Sequence, residues 1–272
     1  MDITFDFTGR TVAVFGGTSG IGYAIAEAFG RRGASVAVAS RKQGNVDAAL
    51  ARLCGLGISA AGFVADVRDA AAVEDVFEAV AARWGPIDVL VSGAAGNFLA
   101  EANQLSSNAF RSVVDIDLLG TFHVMRQGFS RLAPGASVIN ITAPQAAIPM
   151  RYQAHVCAAK AGVDQLTRVL ALEWGGRGIR VNAISPGPVE GTEGLVRLSP
   201  GDDPAGSTVL KFAPLGRLGT KQDVAHLAMF LASSAAGYIS GAVIPCDGGG
   251  GIDSVKPGIE EAGRAMTRSS PR

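Results

Sequence analysis

The chain has 272 residues, 48% of them hydrophobic, with 24 lysines and arginines against 24 aspartates and glutamates. That length buries a substantial core, and a formal charge of zero provides no basic field for nucleic acid. No uncharged apolar stretch reaches the roughly 18 residues of a membrane span, and Cys54, Cys157 and Cys246 lie too far apart to form a C-x-x-C pair.

Thr11 to Gly16 reads as a short apolar strand, followed by Gly16-Gly17-Thr18-Ser19-Gly20-Ile21-Gly22 and an amphipathic run from Tyr23 to Arg32. A strand, a glycine turn and a helix make a phosphate cradle, because glycine permits close backbone approach and the helix N-terminus offers unpaired N–H groups to a pyrophosphate. Further apolar runs at 36–39, 61–65, 89–91, 137–141, 180–184 and 242–244 read as buried strands. Helical patterns over 45–54, 70–84, 106–132, 151–174 and 221–234 alternate with them. Strands apolar on both faces and separated by helices imply a doubly wound parallel α/β sheet of the Rossmann type. No polar or Pro/Ser-rich linker interrupts the chain before Val255, so residues 1–255 read as a single domain.

Ligands of such a sheet bind beyond the carboxyl ends of its strands. After the second strand, Ser40 and Arg41 stand where an NAD-preferring site carries an acidic residue. An arginine fork suits a 2′-phosphate instead, which favours NADP(H). Asp66, followed by Val67, either bonds the adenine amino group or caps the helix opening near Asp69. Asn97 and Phe98 follow the fourth strand, where a substrate enters; they read either as contacts to it or as a capping Asn and a core Phe. His123, His155 and His226 lack ligand spacing, and no metal site is expected.

The chain resembles the short-chain dehydrogenase/reductase family over about 8 to 250. The likeness rests on the Gly16–Gly22 turn, Asp66-Val67, Ser92-Gly93-Ala94-Ala95-Gly96, Lys160 in A-A-K-A-G, I-R-V-N-A-I-S-P-G ending at Pro186-Gly187, and Asp247-Gly248-Gly249. The resemblance implies an NADP(H)-dependent reductase. In it Ala94, Pro186, Gly187 and Thr192 line the cofactor, and Lys160 binds the nicotinamide ribose. The family's catalytic hydroxyls are absent: its serine position is Ala143, its tyrosine position is Val156, and its asparagine position is Asp117. Tyr152, eight residues before Lys160, is the nearest other tyrosine and precedes the helical pattern.

A narrower resemblance, to the peroxisomal-type 2,4-dienoyl-CoA reductases, runs through Gly93 to Leu99, Val114 to Asp117, Asn140 to Ala143, His155 and Pro186 to Gly194. It implies that Asp117 and Asp247 hold a water that protonates carbon, with Lys160 orienting the cofactor and an acyl thioester as substrate. It also implies a homotetramer paired through the helices over 106–132 and 151–174. Two other readings stand beside it: a 3-oxoacyl reductase with a substituted acid, and a silent NADP(H)-binding module. The Pro- and Gly-rich segment 188–221 reads as a substrate lid and 256–272 as a mobile tail. With no leader pattern at its start and no S-K-L at its end, the protein is expected in the cytoplasm.

Overall fold

Val, Ile and Ala dominate the buried strands because both faces of a parallel sheet are covered by helices, leaving no polar face to alternate with. The computed structural model describes residues 4–198 and 213–252. The 199–212 part of the expected lid and the expected tail, 256–272, lie outside the described residues. The strands are β1 (Thr11–Phe15), β2 (Ser35–Ser40), β3 (Ala60–Val64), β4 (Ile87–Ser92), β5 (Leu132–Ile141), β6 (Arg180–Pro186) and β7 (Val243–Cys246). They form one sheet in the order β3-β2-β1-β4-β5-β6-β7, parallel throughout, with Val12 in register with both Val36 and Val89. The order reverses at β1 and β4, and the crevice at that switch point is where such a sheet binds ligands.

Alternate residues of each strand feed two cores. Val12, Val14, Val36, Val38 and Ile184 pack on one face with Ile25, Phe29 and Leu231. Ala13, Phe15, Leu90 and Val138 pack on the other with Phe77, Val124 and Met125. The first layer carries α1 (Gly20–Gly30), α2 (Gln43–Gly55) and a C-terminal helix that follows the lid region (Lys221–Ala232); the second carries α3 (Ala70–Trp84). The helical pattern read over 106–132 divides into α4 (Ser107–Val114), a π-helical turn (Asp115–Leu119) and α5 (Gly120–Gly128), and β5 begins at Leu132. The next helix, α6 (Ala154–Trp174), starts later than the pattern at 151 because Tyr152 adopts a left-handed φ of 66°. Within the described part of the lid, Glu193–Leu198 forms α7, and the C-terminal helix is accordingly α8.

Candidate active site

The turn after β1 is built on close backbone approach. Gly16 has φ 78°, and a Cβ there would lie 2.7 Å from the Ala94 amide nitrogen, so the nucleotide turn rests directly on the loop after β4. A Cβ on Gly22 would overlap the Gly16 carbonyl. Thr18 is buried and Ile21 half-buried beneath the turn. Ser19 occupies the N-cap of α1 with extended geometry and makes no side-chain cap bond, which leaves the first N–H groups of the helix open to an anion. This cradle fits the pyrophosphate of a nicotinamide dinucleotide.

At the adenosine end, Ser40 closes β2 and Arg41 stands exposed, without a hydrogen bond or ion pair among the described residues. Of the two roles open to Asp66, capping goes to Asp69, whose carboxylate accepts from the Ala71 and Ala72 amides. Asp66 instead grips Arg68, with a 2.6 Å ion pair and a bond from the Arg68 amide. The guanidinium beside it holds the Asp66 carboxyl below its ordinary value. Val67 is buried, and its carbonyl lies 2.9 Å from His123 Nδ1.

The chemistry sits deeper. The π turn bulges Asp117 inward, and its side chain is fully buried. Asp117 Oδ1 accepts from the Gly96 amide at 2.7 Å, while Oδ2 lies 3.2 Å from Lys160 Nζ. Lys160 also donates to the Ile141 carbonyl at 3.1 Å. The two charged side chains are 6% and 1% exposed, so each is held against desolvation by the other. Behind them Thr121 Oγ1 donates to the Asp117 carbonyl and accepts from Ser92 Oγ. Where hydroxyls would stand, Val156 packs with Val113 and Ala159, and Ala143 leads into a short 3-10 turn (Pro144–Ala146).

Phe98 stacks on His155 with ring centroids 4.3 Å apart and packs against the small cluster of Val113, Val156 and Ala159. His155 is fully buried, and neither ring nitrogen has a hydrogen-bond partner among the described residues. Burial pushes its pKa down from 6.5, opposed by the Phe98 backbone and the Asp117 charge, so the imidazole is neutral at pH 7. Asn97 accepts from Gln153 Nε2 at 3.2 Å, and Gln153 accepts from Gln145 Nε2 at 2.7 Å. Sequence reading missed both glutamines, since a contact between Gln153 and Asn97 across 56 residues has no periodic signal.

The remaining expected site residues form the far wall. The Gly187 amide bonds the Cys246 carbonyl, and a Cβ at 187 would lie 2.7 Å from Asp247 Cα, so the end of β6 abuts the residue after β7. Asp247 accepts from the Gly249 amide at Oδ1, 3.0 Å away, and from the Gly251 amide at Oδ2, 2.7 Å away. Lys160 and Asp117 are thus brought together, whereas the carboxylate of Asp247 is engaged by its own turn and shares no partner with Asp117 among the described residues. Thr192 Oγ1 donates to the Val189 carbonyl and accepts from the Leu195 amide at the start of α7. Tyr152 is half-exposed, and its carbonyl accepts from the Ala100 amide.

A family model described as enoyl-(acyl carrier protein) reductase matches residues 16–250. The chain belongs to the short-chain dehydrogenase/reductase family. Among reductases of this family it is 40% identical to the peroxisomal 2,4-dienoyl-CoA reductase of Arabidopsis thaliana, over 96% of this chain and 91% of that one. It is 44% identical to the enzyme of the same name from Pongo abelii, over 88% and 83%. A crystal structure of a single-residue variant of actinorhodin polyketide ketoreductase with NADPH superposes with a TM-score of 0.82 at 29% identity, over 89% of this chain and 97% of that one. The protein is therefore a short-chain oxidoreductase whose fold binds a nicotinamide cofactor. No helix among its described residues is long and apolar enough to cross a membrane.

Proposed function

We propose that this reductase uses NADPH to reduce 2,4-dienoyl thioesters. The observation that carries the reading is the buried Lys160–Asp117 pair in a site with hydrocarbon at positions 143 and 156. Reducing a ketone to an alcohol needs a proton on oxygen as hydride arrives, and the hydroxyls that give it are absent. Conjugate reduction instead needs its proton on carbon, after the electrons have moved through the diene.

Bound NADPH would supply the hydride. Gly16 to Gly22 would hold its pyrophosphate, Ser40 and Arg41 its 2′-phosphate, Asp66 and Val67 its adenine, and Ala94, Pro186, Gly187 and Thr192 its nicotinamide side. Lys160 orients the ribose while its charge is fixed by Asp117 and the Ile141 carbonyl. Asp117 keeps one oxygen on the Gly96 amide and has the other available, beyond Lys160, to hold a water that protonates the α-carbon. Asp247 anchors the turn through Gly251 at the mouth of the site, and its share in that water requires an amide to let go. Phe98 offers the acyl chain an apolar wall.

The deciding experiment follows NADPH oxidation with dienoyl-, enoyl- and 3-oxoacyl-thioesters. Turnover of the dienoyl thioester with a 3-enoyl product is expected. Reduction of the 3-oxoacyl thioester alone would overturn the reading in favour of carbonyl chemistry.

A further inference from the structure

The amino ends of the strands border a cavity that the proposed reaction does not use. It lies where β1, β4, β5 and β6 begin, and its volume is about 540 Å³, within the range of small-molecule sites. Lys160 and Asp117 sit at the other edge of the sheet, beside the carbonyl of Ile141 at the end of β5. Phe5 and Phe7 from the N-terminal segment, Val89 of β4, Pro134 of β5 and Ala232 at the end of α8 give the cavity apolar walls.

Four charged residues also line it, and they are unevenly paired. Arg10 is neutralised by Asp88 at 2.7 Å, and the second oxygen of Asp88 accepts from the Thr11 amide. Asp6 stands exposed at the rim, with its carboxylate accepting from the Thr8 amide. Arg180, the first residue of β6, is half-buried and makes no ion pair among the described residues. Its guanidinium reaches the carbonyls of Ile239 at 3.5 Å and Ser233 at 3.4 Å, both at the long limit of a hydrogen bond. Its Nε hydrogen has no partner among the described residues. Burial pushes the guanidinium below its ordinary value, and no neighbouring carboxylate opposes that shift. An anion in the cavity would meet a cation that has lost part of its water and gained no counter-ion.

We propose that this cavity binds a small monocarboxylate with a hydrocarbon body, its carboxylate on Arg180 and its chain along Phe5, Phe7 and Val89. The planar guanidinium fork matches a carboxylate, and apolar walls keep water from weakening the pair. One negative charge is what the site balances, because Arg10 and Asp88 already cancel. A phosphate dianion would set its second charge against Asp88 and Asp6. The cofactor cradle lies at the carboxyl ends of the strands, so a ligand here leaves the active site open, and the inference is independent of the dienoyl-thioester reading.

Octanoate is the probe, titrated by calorimetry into the protein with and without NADPH, with octanol and inorganic phosphate for comparison. The variants are Arg180→Gln and Ser234→Trp, each checked for folding by circular dichroism. Ser234 is an exposed part of the lining, where an indole covers the mouth without entering the core, so this variant decides the matter if Arg180→Gln does not fold. Wild type should bind one octanoate per chain, with or without NADPH, and melt at a higher temperature when it does. Octanol and phosphate should bind at least about ten-fold more weakly, and each variant should weaken octanoate by about ten-fold or more, the effect of losing a charge-assisted hydrogen bond. NADPH affinity should be the same in all three proteins. Absence of saturable octanoate binding, or equal affinity in the folded variants, would overturn the inference. So would octanoate that NADPH or a dienoyl thioester displaces, which places it in the active site, and so would phosphate that binds through Arg180 more tightly than octanoate.

Discussion

Replacing Asp117 by Asn keeps the size of the side chain and the acceptor for the Gly96 amide but deletes the charge 3.2 Å from Lys160 Nζ. The ammonium then has only the Ile141 carbonyl, in a pocket that leaves the lysine 6% exposed. Breaking one partner out of a buried pair costs about 3 to 5 kcal/mol. Asp117→Asn should therefore lose about 3 to 5 kcal/mol. Over most of the ordinary stability range, about 5 to 15 kcal/mol, a domain still folds with that loss. Urea titrations measure it, and adding Lys160→Met to the variant should restore most of the stability. Dienoyl-thioester turnover should fall by about 10² or more in the single variant. A loss below about 1 kcal/mol, with simple additivity in the double variant, would refute the claim that the two groups hold each other in the site.

Arg41 makes no hydrogen bond or ion pair among the described residues, so Arg41→Asp should weaken NADPH binding by about 1.5 to 3 kcal/mol with little change in melting temperature; equal wild-type affinity for NADH and NADPH, by fluorescence titration, would count against the 2′-phosphate role. His155 is held neutral by burial, so its folded pKa lies below 6.5 and its contribution is present above pH 6.5 and lost as the pH falls below it. The stability of wild type minus that of His155→Phe should fall toward acid with a slope of at most about 1.4 kcal/mol per pH unit, and the subtraction removes Asp164, whose raised carboxyl works in the opposite sense. Phe110, Leu119, Phe122 and Val169 leave apolar surface exposed on α4, the π turn, α5 and α6; if the expected homotetramer forms through these helices, light scattering at micromolar concentration should give four times the monomer mass, and a monomeric mass would refute it.

The glycine turn, the parallel sheet and the missing hydroxyls were legible in the sequence because each depends on local spacing or on the identity of one position. The alternation of apolar runs placed every strand, though it located β5 five residues late: Leu132 to Ala136 interleaves Pro134 and Gly135 and carries no strand pattern of its own. The π turn was illegible for a different reason. Its backbone differs from an α-helix by one bond that skips a residue, the Gly120 amide reaching the Asp115 carbonyl, and no composition marks it. The family pattern put Lys160 and Asp117 in one site but joined Asp117 with Asp247, and the ion pair between Lys160 and Asp117 was not legible in it. The bonds among Asn97, Gln153 and Gln145 and the turn that occupies Asp247 were not legible either, because both depend on where loops distant in sequence come to rest.

The π turn also sets the phase of the helical run that contains it. One residue advances an α-helix by about 100°, and the residue accommodated between Asp115 and Leu119 is what lets Val113 on one side and Val124 and Met125 on the other all face inward. A mutation that relaxed the bulge by deleting one residue would turn Asp117 away from Lys160 and, in the same motion, rotate α5 out of register with Phe77 and Leu90. The acid's position and the packing of the sheet's second layer are therefore inherited together. Substitutions can tune this carboxylate one side chain at a time, but changes of chain length in the segment are closed to it.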